Sequence, residues 1–191
     1  MNRAVELITR LSIDRASQVL SKMVRAGAKI VWEEMNEMDV AQLTERVSSE
    51  GDAVMGALID LAGDIDLKFL CFLPERHACT VTDMILQKEI GTTREINELV
   101  RGAVQEIGNI LASAVCNVFV SDFQIHMRPS PPMFVHDFQG SIFEEYLIRG
   151  VGDRNEIYVI ETKFWIVRLD IPCSMYLVPA GGAKEMLMRI C

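Results

Sequence analysis

The sequence predicts an α+β fold of two pseudo-symmetric halves, with two long helices packed on a common, mainly antiparallel sheet. Three observations point there. Two long stretches, about Asp14–Met35 and Thr93–Val118, repeat apolar residues at helical spacing. Each is followed by short apolar runs bounded by Gly, Asp or Pro, which read as strands. The order, helices then strands, occurs twice, unlike the alternating βαβ units of a parallel sheet. A chain of 191 residues can bury most of its apolar surface, and is expected to form one domain with halves at residues 1–90 and 91–191.

In chain order, Ala16, Val19, Leu20, Met23, Val24, Gly27, Ile30 and Val31 give the first amphipathic helix, opened by Asp14 as a cap. A short acidic helix is expected near Val40–Val47. Ala53–Gly63 and Asp66–Pro74 read as strands joined by a turn at Gly63-Asp64, and Thr80–Lys88 as a short helix. In the second long helix, Ile96, Leu99, Val100, Ala103, Ile107, Ile110, Leu111, Ala114 and Val118 form one apolar stripe. The run from Arg128 to Pro132 closes the helical section, because proline removes a backbone donor and restricts its predecessor. Residues 155–169 and 173–179 read as strands inside a continuous sheet, an exposed edge being the other reading, and residues 180–190 as a short closing helix. Ala26-Gly27-Ala28 and Ala112-Ser113-Ala114 suggest an internal repeat at an offset of 86 residues.

Nineteen Lys and Arg against 27 Asp and Glu give a net charge of −8, which argues against a nucleic-acid or anionic membrane surface. Five scattered cysteines without a CxxC and three distant histidines offer no metal-ligand spacing, so buried free thiols are expected and no metal of its own. The first 17 residues interleave charged and apolar side chains, unlike a signal peptide. No apolar run approaches the roughly 20 residues that span a bilayer. The expected location is the cytoplasm, without membrane insertion.

On a wheel of about 100° per residue the stripe of the second helix centres near Ile107 and Ala114, placing Glu106 about 85° and Asn109 about 145° away. Both should point outward, and three residues apart they are surface neighbours. Gly102 and Ser113 share that face. Gly and Asn are poor helix formers, costing up to about 1 and about 0.7 kcal/mol against Ala. A solvated face explains an exposed Glu and Asn equally well, and Gly108 could serve close packing of another element.

The segment from Arg94 to Asn117, REINELVRGAVQEIGNILASAVCN, resembles the CheC/CheX/FliY family of chemotaxis phosphatases, whose pattern is Asp/Ser-x3-Glu-x2-Asn-x22-Pro. Glu106-x2-Asn109 is present and 22 residues separate Asn109 from Pro132. The stretches PSPPMFVHDFQG and EIYVIETKFWI are similar to the family's later segments. The resemblance implies a CheC-like fold and hydrolysis of the aspartyl-phosphate of a CheY-type response regulator. Asn109 would orient the attacking water and Glu106 would pair with the receiver's lysine. Gly102, Gln105, Ser113 and Pro132 would border the partner, with Gly102 and Gly108 letting its loops approach the backbone. The receiver would bring Mg²⁺.

Gly102 replaces the family's Asp or Ser. At the offset of 86, Leu20 and Met23 occupy the first half's Glu and Asn positions, which implies a degenerate site there and an intact one in the second half. The alternative is a non-catalytic binding module for the phosphorylated regulator or for the deamidase CheD, as in a flagellar switch. A third reading is an unrelated acidic α+β domain that forms a homodimer, as the family's CheX members pair through their sheet.

Overall fold

A computed structural model describes residues 3–23, 30–38, 42–43, 45–46, 53–148, 159–166, 170–180 and 183–187. The first half contributes α1 (Arg3–Met23), β1 (Ile30–Met38), β2 (Ala53–Gly63), β3 (Leu67–Pro74) and α2 (Ala78–Ile85). The second contributes α3 (Glu98–Phe123), β4 (Met127–Pro129), β5 (Met133–Phe138), α4 (Gln139–Phe143), β6 (Val159–Ile166), β7 (Ile171–Pro179) and α5 (Ala183–Leu187).

The strands form one antiparallel sheet in the order β1-β6-β7-β3-β2, with β4 and β5 end to end along the outer edge of β2. The hairpins β2–β3 and β6–β7 meet in the middle. Beyond them β1 pairs with β6, and β4 and β5 pair with β2, so the strands outside each half's hairpin complete the other half's hairpin. This exchange gives the sheet its pseudo-symmetry. β6 and β7 are interior strands, as their apolar character suggests.

Side chains alternate between two buried faces, which explains the nearly continuous apolar runs of β2 and β3. Met55, Ala57, Ile59 and Leu61 of β2, with Phe69, Cys71 and Leu73 of β3, join the core beneath α1, α2 and α3. Leu58, Leu70, Phe72, Tyr176 and Val178 face the other way, under Leu43, Ile142 and Phe143. There Tyr176 Oη donates to the buried Glu161 carboxylate at 2.8 Å, and Arg46 reaches Glu161 at 2.9 Å. A buried carboxylate needs such partners, since desolvation of an isolated one is costly.

The helix boundaries differ from the sequence expectation. α1 begins at Arg3 and ends at Met23, and residues 30–35 are strand rather than helix. Ile30, Val31 and Trp32 are β-branched or aromatic and favour the sheet pairing that β6 offers. Of the acidic helix expected near Val40–Val47, residues 42–43 and 45–46 are helical and the rest lies outside the described residues. α3 starts five residues later than expected because the Asn97 side chain caps it, accepting from Leu99 N and Val100 N at 3.0 and 3.3 Å. It continues to Phe123, where Gln124 turns left-handed at φ 56°. Residues 128–132 therefore do not end the helix; they break an edge strand into β4 and β5, an allowed place for proline. Ser130 ties the break to β2 through Ser130 N to Asp60 O at 2.8 Å and Asp60 N to Ser130 Oγ at 3.0 Å.

By length and composition α3 could cross a membrane, but 67% of its most apolar stretch is buried inside the protein. Its hydropathy is that of a core helix. The thiols of Cys71, Cys116 and Cys173 are free and buried, and burial pushes Cys71 up to about 12 and Cys116 up to about 11.

Candidate functional site

The site is built on α3. Val100, Val104, Ile107, Leu111, Val115 and Val118 press one face of the helix into the core. Gly108 sits at the closest approach to β2. A Cβ placed on it would lie 2.4 Å from the Ala57 Cβ, well inside van der Waals contact, so only glycine lets the helix rest at this height. The packing reading of Gly108 holds, and the expectation that it opens the backbone to a partner does not. Gly102 is different: nothing lies within 4 Å of its would-be Cβ, so the helix surface there is open.

Next to Gly108, Asn109 leaves the core. It is half-buried and lines a groove of about 530 Å³ between α1 and α3. Ser113 and Asn117 continue that wall one and two turns on, with Arg15, Gln18, Val19 and Lys22 of α1 opposite. Glu106 is fully on the outer surface of α3, three residues from Asn109. Among the described residues, neither side chain has a hydrogen bond or ion pair, so both are available to an external group. The wheel thus places Glu106 correctly, whereas Asn109 faces the neighbouring helix, an element the wheel of one helix cannot represent. Ser113 belongs to the groove with Asn109 rather than to the Glu106 surface.

Gln105 and Pro132 are brought together: Gln105 Nε2 donates to the Pro132 carbonyl at 2.8 Å. The bond holds the break between β4 and β5 against α3, one residue before Glu106. Arg101 stacks over the Phe134 ring at 5.0 Å, reinforcing the same junction. Among the described residues, no group of three or more His, Cys, Asp or Glu side chains is arranged to hold a metal ion.

The internal repeat needs a different register. Residues 26–28 and the side chains of Leu20 and Met23 lie outside the described residues. Buried Ile8, Thr9, Ser12, Ile13 and Ala16 of α1 match buried Ile107, Gly108, Leu111, Ala112 and Val115 of α3 at an offset of 99, not 86. The positions equivalent to Glu106 and Asn109 become Leu7 and Arg10; Leu7 is exposed and Arg10 is paired with Glu6 at 2.8 Å. The small-residue triplets gave the wrong register because they need not fall at equivalent burial positions. The groove residues Arg15, Gln18, Lys22 and Asn117 were missed in the sequence for a related reason: with α1 shifted, nothing connected its polar face to Asn109. The spacing Asn109, Ser113, Asn117 at every fourth residue was a usable signal.

The family model for chemotaxis phosphatase CheX matches residues 55–156, just over half of the chain and including all of α3. Solved structures of similar fold include FliY of Thermotoga maritima, at 16% identity and TM-score 0.71 over 96% of this chain and 91% of that one. The CheX of a CheX-CheY-BeF3-Mg+2 complex from Borrelia burgdorferi is similar at 16% identity and TM-score 0.61, over 90% and 97%. The FliM middle domain from H. pylori is similar at 13% identity and TM-score 0.70, over 99% and 97%. At such identities the structural likeness speaks for the fold alone.

Proposed function

This chain belongs to the chemotaxis phosphatase CheX family, and from that premise we propose that it accelerates loss of the phosphoryl group from a phosphorylated CheY-type response regulator. The observation that supports this reading is the Glu106-x2-Asn109 pair on a rigid core helix, unpaired among the described residues and open to a partner. One domain with a working site in residues 91–191 and a degenerate one in 1–90 follows from it, because Leu7 and Arg10 cannot reproduce a carboxylate and an amide.

Asn109 enters the receiver's site and its carboxamide oxygen accepts a hydrogen bond from a water, holding it in line with phosphorus. The water oxygen bonds to phosphorus as the bond to the aspartyl oxygen breaks, releasing a free carboxylate and inorganic phosphate. An amide suits the task because it orients water without taking up a proton itself. Little covalent work is required of the protein, since phosphoryl transfer responds chiefly to alignment and charge stabilisation. Glu106 pairs with a receiver lysine and sets the register of docking. Gly102 leaves the approach clear, and Gln105 and Pro132 hold the flank of the site in place. The Mg²⁺ that such receivers use comes with the receiver, and the work is cytoplasmic.

The test follows phosphate release from the phosphorylated receiver with Mg²⁺. Wild type is expected to accelerate it, Asn109→Ala to lose the acceleration by on the order of 10²-fold, and Glu106→Ala to raise KM at least tenfold. No acceleration by wild type would overturn the reading. Binding without turnover is the second reading, for which Gly102, in place of Asp or Ser, is the specific observation; tight binding with unchanged phosphate loss would select it. CheD and a second copy of the chain are further candidate partners under that reading.

A further inference from the structure

The groove that holds Asn109 also holds two cations, Arg15 and Lys22, although the whole chain carries a charge of −8. They are not equivalent. The Arg15 guanidinium donates to Asp122 at 2.8 Å, and the same carboxylate oxygen accepts from Ser121 Oγ at 2.6 Å, so the charge of Arg15 is already matched. Lys22 lies seven residues, about 10 Å, further along α1 in its last turn. It is exposed and, among the described residues, has no ion pair or hydrogen bond. The groove therefore presents one matched and one unmatched cation, the unmatched one on the wall opposite Asn109.

We infer that Lys22 is a docking residue for the phosphorylated receiver, its ammonium meeting the acidic rim of the phosphorylation site as Asn109 enters it. The inference rests on the proposed function. A phosphorylated aspartate carries close to two negative charges where the free carboxylate carried one, and a pocket that binds a divalent cation is lined by further carboxylates. Such a surface is repelled by a partner of net charge −8, and the pairing of Glu106 with a receiver lysine leaves the charge around Asn109 unmatched. One unpaired ammonium beside the entering amide offsets this where it matters. Arg15 would have to release Asp122 to do the same, whereas Lys22 breaks no pair with any of the described residues. A rim charge of this kind governs association and salt dependence rather than the chemical step. Its effect therefore belongs in KM.

The experiment measures phosphate release from the phosphorylated receiver with Mg²⁺ at salt from about 50 to about 300 mM, where screening grows strongly. It compares wild type, Lys22→Gln and Lys22→Glu. Binding of the same variants to a beryllofluoride-loaded receiver is measured in parallel. Lys22→Gln is expected to raise KM about fivefold at low salt, the scale of one exposed charge pair. kcat should stay within about twofold, and Lys22→Glu should raise KM further, both losses shrinking as salt rises. KM and binding unchanged in both variants at low salt would overturn the inference, as would an effect confined to kcat and indifferent to salt. The two ideas fail separately. Weaker, salt-sensitive binding by Lys22→Glu with no turnover by wild type keeps the docking role and sinks the phosphatase reading; normal turnover with no Lys22 effect does the reverse. A wild type that neither binds nor turns over sinks both.

Discussion

Gly108 and Asn109 are neighbours on α3 with opposite tasks, one pressed on β2 and the other facing the groove. The height of the amide above the sheet is set by the absence of a side chain on the preceding residue. Gly108→Ala should therefore destabilise the protein by about 1–3 kcal/mol, the usual range for overpacking. Adding Ala57→Gly, which removes the methyl that the new Cβ would strike, should return part of that loss; thermal unfolding of the two single variants and the double variant measures it. If the double variant were simply the sum of the singles, the contact would not be what limits residue 108. At this scale the sequence was informative for Glu106, whose exposure follows from the stripe of its own helix. It was silent on Asn109's second neighbour, because the groove is made by α1, whose register no local pattern fixes. It also left the use of Gly108 open between packing and access, which only the position of Ala57 decides.

Between α2 and α3 the connection is fastened rather than loose. The buried Asp83 carboxylate accepts from Gly91 N at 2.8 Å and from Thr93 N at 3.0 Å, and Lys88 N reaches its carbonyl at 2.8 Å. Burial works against the charge of Asp83, but hydrogen bonds from Thr93, Gly91 and Thr92 outweigh it and hold the carboxyl below its ordinary value of 3.8. A carboxylate whose folded pKa is depressed stabilises the fold fully above its unfolded value, and the stabilisation disappears as pH falls through the folded one. Asp83→Asn should thus lower the denaturation midpoint by a constant amount from neutral pH down to about pH 5, with the gap to wild type closing below about pH 4. A gap independent of pH down to pH 2 would mean that the charge of Asp83 contributes nothing. Elements were legible in proportion to how local their causes are. β2, β3 and α2 were located within a few residues from turn signals and apolar runs. The ends of α1 and α3 were not, since they depend on the Asn97 cap and on the pairing of residues 30–38 with a strand far along the chain. β4 was not anticipated, because its three residues pair with β2 through register alone.

At the scale of the molecule, the exchanged strands make the halves interdependent. Residues 1–90 alone would leave β1 without β6, and β2 without β4 and β5; residues 91–191 alone would leave β6 without β1, and β7 without β3. Each piece would expose unpaired edges and one face of a long helix. Expressed separately, neither half should give a cooperative unfolding transition, while the two mixed or linked as in the natural chain should; a half that unfolded cooperatively as a monomer would contradict this. The duplication itself was visible in the sequence as element order, yet the exchange was not, for helix-then-strands has the same appearance whether strands pair within a half or across it. The same interleaving has a consequence for the newborn protein. Emerging from the ribosome, residues 30–38 must wait for 159–166 before their backbone groups find partners, so 120 intervening residues are made while this ribbon stays unsheltered. The organism that makes it should need chaperone cover for the first half throughout translation of the second.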